Sequence, residues 1–396
     1  NSMIGKPLHY VFFLTVIPGI GAFMAFSFWN NIDAVPASTY YAKEVADPLT
    51  AQLSVSEQKD SLPPKPPPPK HLHTPVPLKG VYMTSWVAGT PSFRDTLITF
   101  MRTSEINAVV IDVKDYSGQI SFDTDDDLIN ELGSEDIRVP DMKNLIDRLH
   151  AEGVYVIARI SVFQDPIFSA AYPHLAVQTK AGEIWKDRKG LSWVDPASTE
   201  MWNYIARVAE ATEQVGFDEL NFDYIRFPSD GNMQDISFPV WDEVTPRSDI
   251  LETFFAYMDK RLEHLGIPIS LDIFGMTTVN YDDLNIGQVL EKAAPHADYI
   301  SPMVYPSHYP TGFQGLVNPA DHPYAVINDA MAQASHRLRL IGEDPKKLRP
   351  WLQDFDLGAI YTEDMILQQK QAVYDAGLDS WIFWDPRNIY TKEAFR

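Results

Sequence analysis

Eight short apolar runs, the first seven each followed by a stretch with helical spacing, constrain the fold of this 396-residue chain more than any other feature. The runs cover 80–86, 107–113, 153–160, 217–223, 268–274, 298–304, 348–354 and 380–385. Helical patterns lie near 91–104, 140–152, 198–215, 248–265, 286–294, 323–338 and 363–376. Pro140-Asp141 and Asp195-Pro-Ala-Ser198 supply start signals for two of them. Such an alternation predicts an α/β protein with a parallel sheet, and eight repeats predict a single (β/α)8 TIM barrel. An open, doubly wound sheet is the runner-up. It would be expected to carry a glycine-rich phosphate loop after its first strand, and none follows Gly80-Val-Tyr.

Upstream of the repeats the composition changes twice. Residues 10–29 carry no charge and are about long enough to cross a bilayer. Lys6 before the run and Trp29 at its end fit a membrane anchor with the remainder exported; a cleaved signal peptide is the alternative. Residues 30–78 read as a disordered linker, with eight prolines between Leu62 and Pro77. His71 and His73 within it read as incidental. The barrel is therefore expected over 79–396, outside the cytoplasm: in a periplasm, at a cell surface, or secreted if the leader is cleaved. The net charge of −22 disfavours nucleic acid as a partner. The absence of cysteine excludes disulfides, thiolate metal sites and a cysteine nucleophile.

In a parallel barrel the C-terminal ends of the strands present the working side chains. Here those ends hold Trp86; Asp112, Lys114 and Asp115; Arg159; Asn221, Asp223 and Arg226; Asp272; Tyr305 and His308; Trp351; and Trp384 with Asp385. Residues two apart on a strand share a face, so Asn221 goes with Asp223 and Asp112 with Lys114. A charge facing the outer helices unpaired would be costly, which predicts that these groups point into the barrel mouth. Several carboxylates among aromatics suit a saccharide: ring faces stack on sugars, and acids and amides take hydroxyls. A structural role for any one ion pair remains the competing reading. A metal held by Asp112, Asp115 and His308 is a weaker one, and neither a metal nor an organic cofactor is expected. Gly-x-Ser-x-Gly and His-Glu-x-x-His are both missing.

From about Lys79 onward the chain resembles a glycoside hydrolase domain family first described as a domain of unknown function. The resemblance rests on Gly80-Val-Tyr, Val110-Ile-Asp112-Val-Lys114-Asp115, Phe222-Asp223-Tyr-Ile-Arg226-Phe-Pro228, Asp272-Ile-Phe-Gly275, Ile300-Ser-Pro-Met-Val-Tyr-Pro-Ser-His308-Tyr309 and Arg349-Pro-Trp-Leu-Gln-Asp354-Phe. It implies a TIM barrel distantly similar to amylase-type glycosidases, acting on a polysaccharide or oligosaccharide. In such barrels the nucleophile is an aspartate ending strand 4, the position of Asp223. Their acid is a glutamate ending strand 5, where this chain has Asp272. The resemblance thus implies Asp223 and Asp272 as the catalytic pair, with Arg226 keeping Asp223 ionised and Asp112 or Asp115 as the other acid candidates. Alternatives are a non-catalytic polysaccharide-binding or envelope-scaffold barrel and a metal-dependent deacetylase.

Overall fold

A computed structural model describes residues 69–396. Eight parallel strands close into a barrel in sequential order: β1 (Lys79–Met83), β2 (Ala108–Lys114), β3 (Tyr155–Ser161), β4 (Glu219–Asp223), β5 (Ile269–Phe274), β6 (Tyr299–Met303), β7 (Trp351–Gln353) and β8 (Trp381–Trp384). Closure is made where β1 pairs with both β2 and β8, which removes any free sheet edge and with it the doubly wound alternative. The principal crossover helices are α1 (Pro91–Arg102), α2 (Met142–Ala151), α3 (Thr199–Gln214), α4 (Arg247–Leu262), α5 (Leu290–Ala293), α6 (Pro323–Leu340) and α7 (Glu363–Asp375).

Strand parity separates two cores. Val81, Val109, Ile111, Val156, Ala158, Leu220, Phe222, Leu271 and Phe383 belong to the cluster shared with the helices. Their neighbours Tyr82, Ala108, Val110, Tyr155, Ile157 and Ile382 form a second cluster inside the barrel. The helices supply the matching faces. In α3, Ser198 caps Met201 N, and Met201, Ile205, Val208 and Ala209 are buried at helical spacing. The predicted helix at 286–294 shrinks to α5, because Gly287 sits at φ 85 before it and Pro295 converts the chain beyond it into a 3₁₀ turn. After β8 a short 3₁₀ turn, Lys392–Phe395, stands in place of an eighth helix, with Phe395 against Phe100 of α1.

The barrel floor corrects the linker boundary. Leu72 N donates to Asp218 Oδ1 at 2.7 Å, and Thr74 Oγ1 lies 3.1 Å from Tyr155 Oη. His71 Nε2 lies 2.9 Å from Glu213 Oε1, so His71 is not incidental. Residues 69–78 are thus a strap across the N-terminal end of the barrel. The physical reason is that Asp218 and Tyr155 leave polar groups at the floor, and the strap satisfies them. The 10–29 run and the rest of the linker lie outside the described residues. Among the described residues no helix is long and apolar enough to cross a membrane.

Candidate active site

Register brings the site together. Asp112 on β2 lies level with Arg159 on β3, and Ser161 on β3 lies level with Asp223 on β4. Arg159 reaches across the mouth and binds three carboxylates. Its Nη1 donates to Asp112 Oδ1 at 2.7 Å and its Nε to Asp223 Oδ2 at 3.1 Å, with Nη2 on the same Asp223 oxygen. The same Nε lies 3.7 Å from Asp272 Oδ2. The Asp223 and Asp272 oxygens are therefore separated by no more than the sum of those two distances, about 7 Å. That bound contains the roughly 5–5.5 Å of retaining pairs and the lower end of the roughly 6.5–9.5 Å inverting range.

One guanidinium cannot balance three buried carboxylates, so one acid must keep its proton. Asp272 is the best placed to do so. It is 1% exposed, and burial, then the charge of Asp223, push its carboxyl well above the usual range. Its Oδ1 accepts from Asn221 Nδ2 and Trp351 Nε1, both at 2.8 Å. Neither donor can accept a proton. Its Oδ2 is buried with no hydrogen-bond partner. The proton of a neutral Asp272 accordingly belongs on Oδ2, the oxygen turned toward Arg159 and Asp223. Asp112 is also raised, first by burial, against the opposing pull of Arg159.

Asp223 is held from two sides. Arg159 fixes one oxygen, and the backbone N–H of Tyr224 donates to the other at 2.6 Å. That N–H is aimed by an unusual backbone, since Tyr224 has φ 53, which a bulky residue adopts at a cost of about 1–2 kcal/mol. Local strain of this kind clusters at functional sites. An aromatic wall faces the carboxylates. Tyr82, Tyr305 and Phe355 pack around Trp384, with ring centroids 6.2, 5.5 and 5.0 Å from it. His308 lies outside them, 5.3 Å from the Tyr305 ring and exposed at the rim.

Four expectations need correction. Lys114 does not enter the mouth; it is fully buried, 2.9 Å from Asp165 and donating to Ser161 O. Strand alternation fails there because the β2–β3 register shifts between Asp112 and Lys114. Asp115 is tied to Ser117 and Arg138, which together outweigh burial and hold its carboxyl below its usual range. Arg226 does not pair with Asp223. It lies against the rings of Trp193 and Phe274, at 4.6 and 4.8 Å, and donates to Phe227 O and Ser229 Oγ. Arg159 takes the role expected of it, because β3 is the neighbour of β4 and Arg226 has already turned away into the loop. Asp385 is fully buried and organises its own turn, accepting from Arg387 N. Asp112, Asp115 and His308 are not gathered: Asp112 is bound to Arg159, Asp115 to Arg138, and His308 lies beside Ser307.

The expected residues that do meet are Asp112, Arg159, Asn221, Asp223, Asp272 and Trp351, with Tyr305 and Trp384 in the wall. Trp86 stands apart on the rim. Sequence reasoning missed Tyr82, whose hydroxyl donates to Asp112 Oδ2. Strand parity could have found it, since Tyr82 is the sole hydroxyl-bearing residue on the inward face of β1.

Comparison with known proteins adds to this geometry. A family model described as "Putative glycosyl hydrolase domain" matches residues 80–390, the whole barrel. No curated protein matches the sequence. The PgaB (BpsB) glycoside hydrolase domain from Bordetella bronchiseptica shares the fold with TM-score 0.58 at 13% identity, over 81% of this chain and 99% of that one. Alpha-L-fucosidase isoenzyme 2 from Paenibacillus thiaminolyticus does so with TM-score 0.53 at 12% identity, over 81% of this chain and 48% of that one. A hypothetical protein from Ruminiclostridium thermocellum is 30% identical over 48% of this chain and 96% of its own length, with TM-score 0.45. The low-identity likenesses are likenesses of fold. The family match spans most of the chain and every strand of the barrel, and the chain belongs to the family of glycosyl hydrolase domains so described.

Proposed function

We propose that this barrel hydrolyses O-glycosidic bonds with Asp223 and Asp272 as its two carboxylates. The observation that carries the reading is the asymmetry between them. Asp223 accepts from a guanidinium and a backbone N–H, an environment for an ionised group. Asp272 is buried, raised, and without a hydrogen-bond partner at Oδ2, where Arg159 Nε is 3.7 Å away. Two carboxyls in contrasting environments are what a glycosidase needs, one to donate a proton and one to stay charged.

Asp272 Oδ2 would deliver its proton to the leaving-group oxygen. Asp223 would attack the anomeric carbon, forming a covalent glycosyl intermediate as the leaving oxygen takes that proton. Water would then be deprotonated by Asp272 and displace Asp223, restoring both groups. Arg159 limits the charge at Asp223 and sets its orientation, and Tyr305 and Trp384 offer faces for the sugar. The run at 10–29 supports a tether that holds the barrel outside the cytoplasm.

The test is turnover of polysaccharides by the full chain and two variants. Asp223→Asn should lower kcat by roughly a thousandfold or more, within the several-kcal/mol range of a lost transition-state contact. Asp272→Asn should do so for poor leaving groups and spare good ones, which need little protonation. Unchanged turnover in Asp223→Asn would overturn Asp223 as the nucleophile, and no turnover of any polysaccharide by the wild type would leave the barrel a binding module.

A further inference from the structure

The rim beyond β1 and β2 carries a feature that the carboxylate site does not use. Trp86 is 63% exposed and Tyr116 is 53% exposed, and both come directly after strands that end at the mouth. A single exposed apolar side chain needs no explanation. Trp86 differs because a charged group lies against it. The Arg138 guanidinium stacks 4.6 Å from its ring centroid. That arginine is immobilised on every nitrogen. Nε donates to Asp136 Oδ2 at 2.7 Å, Nη2 to Gln119 Oε1 at 2.7 Å, and Nη1 to Ser85 Oγ at 3.0 Å and to Asp115. Asp115, which bonds that arginine, also directly precedes Tyr116 in the chain.

One face of the indole is thus supported by a fixed cation, and the ring stays open to water on its other side. An aromatic already locked in place gives up little entropy when a flat apolar surface settles on it. The apolar C–H face of a pyranose is such a surface. We infer that Trp86, with the exposed Tyr116 at the end of the neighbouring strand, is a remote subsite that stacks on a sugar unit of a polysaccharide away from the bond cleaved. The inference rests on the glycosidase reading and adds to it: the substrate is a chain long enough to reach from the carboxylates to the β1–β2 rim. Tyr82 marks the start of that path, since it lies four residues before Trp86 and bonds Asp112 at the other end.

Affinity electrophoresis of the full chain in native gels containing glycol chitin, laminarin, carboxymethylcellulose or starch tests this. The wild type should be retarded by at least one polymer. Trp86→Ala should weaken that retardation by roughly tenfold in affinity. Tyr116→Ala should weaken it less. Trp86→Phe should recover much of it. Phe93→Ala is the control: Phe93, on α1, is 65% exposed, and its loss should change nothing. Equal retardation of wild type and Trp86→Ala, or no retardation by any of the four polymers, overturns the subsite. Asp223→Asn separates the two readings. If that variant binds with wild-type affinity and cleaves as the wild type does, the catalytic reading fails while a Trp86-dependent subsite stands.

Discussion

At the scale of the residue, Trp351 shows how little of a side chain's role is set by its type. Its ring is 2% exposed and would pass as core, yet its Nε1 donates to the oxygen of Asp272 that must not carry the proton. Donation to a carboxylate favours the ionised form. Removing the donor should therefore raise the Asp272 carboxyl further. Trp351→Phe is expected to move the alkaline limb of the kcat–pH profile upward, because the Asp272 carboxyl loses a donor to its ionised form. A limb that stays in place while activity falls would show Trp351 to be a packing residue only. Asp112, Asn221, Asp223 and Asp272 were legible as mouth residues because acids and amides on apolar strands have few other places to go. The partner of Asp223 was not, because nothing in Asp223-Tyr-Ile-Arg226 tells that the chain turns at Tyr224 with φ 53 and carries Arg226 away.

Among the elements, the strap over 69–78 bears on stability as a strand does. Leu78 is fully buried, and its N–H donates to Ser380 Oγ at 3.0 Å. A fragment that begins at residue 79 loses that contact together with the bonds of Leu72 and Thr74. Its stability should fall by about 2–4 kcal/mol relative to a fragment beginning at 69, from one buried leucine and two or three hydrogen bonds. Urea denaturation of the two fragments measures this, and identical midpoints would mean that the strap is passive. The prolines that announce a linker hid the strap. Their density argues for extended chain, and an extended chain crosses a barrel floor as readily as it crosses solvent. The regular elements posed no such difficulty: helices at 91–102, 142–151 and 199–214 fall within a few residues of their apolar patterns.

For the whole molecule, the proposed tether sets the expectation. The full chain expressed with residues 1–78 should remain with membranes after high-salt washing and leave them in detergent. Its barrel should be open to protease added from outside. A soluble product beginning near residue 35 would mean a cleaved leader and a secreted barrel. Salt resistance is the discriminating condition, since a protein of net charge −22 has no electrostatic reason to adhere to anionic lipid.

The barrel was readable from the chain alone, because strand and helix periods are local and eight strand runs alternating with helices have few ways to close. The chain also pointed to Asp112, Asp223 and Asp272 as acids of the mouth, because burial of an unpaired charge elsewhere is too costly, but it pointed equally to Asp115 and Asp385, which are tied to Arg138 and to the Arg387 turn instead. The partners were set by the folded chain: Arg159 rather than Arg226 for Asp223, Asp165 rather than the mouth for Lys114, Trp351 and Asn221 for one oxygen of Asp272. Those choices depend on the register between neighbouring strands, on one shift in it after Asp112 and on one left-handed residue after Asp223. None of them leaves a periodic trace in the chain.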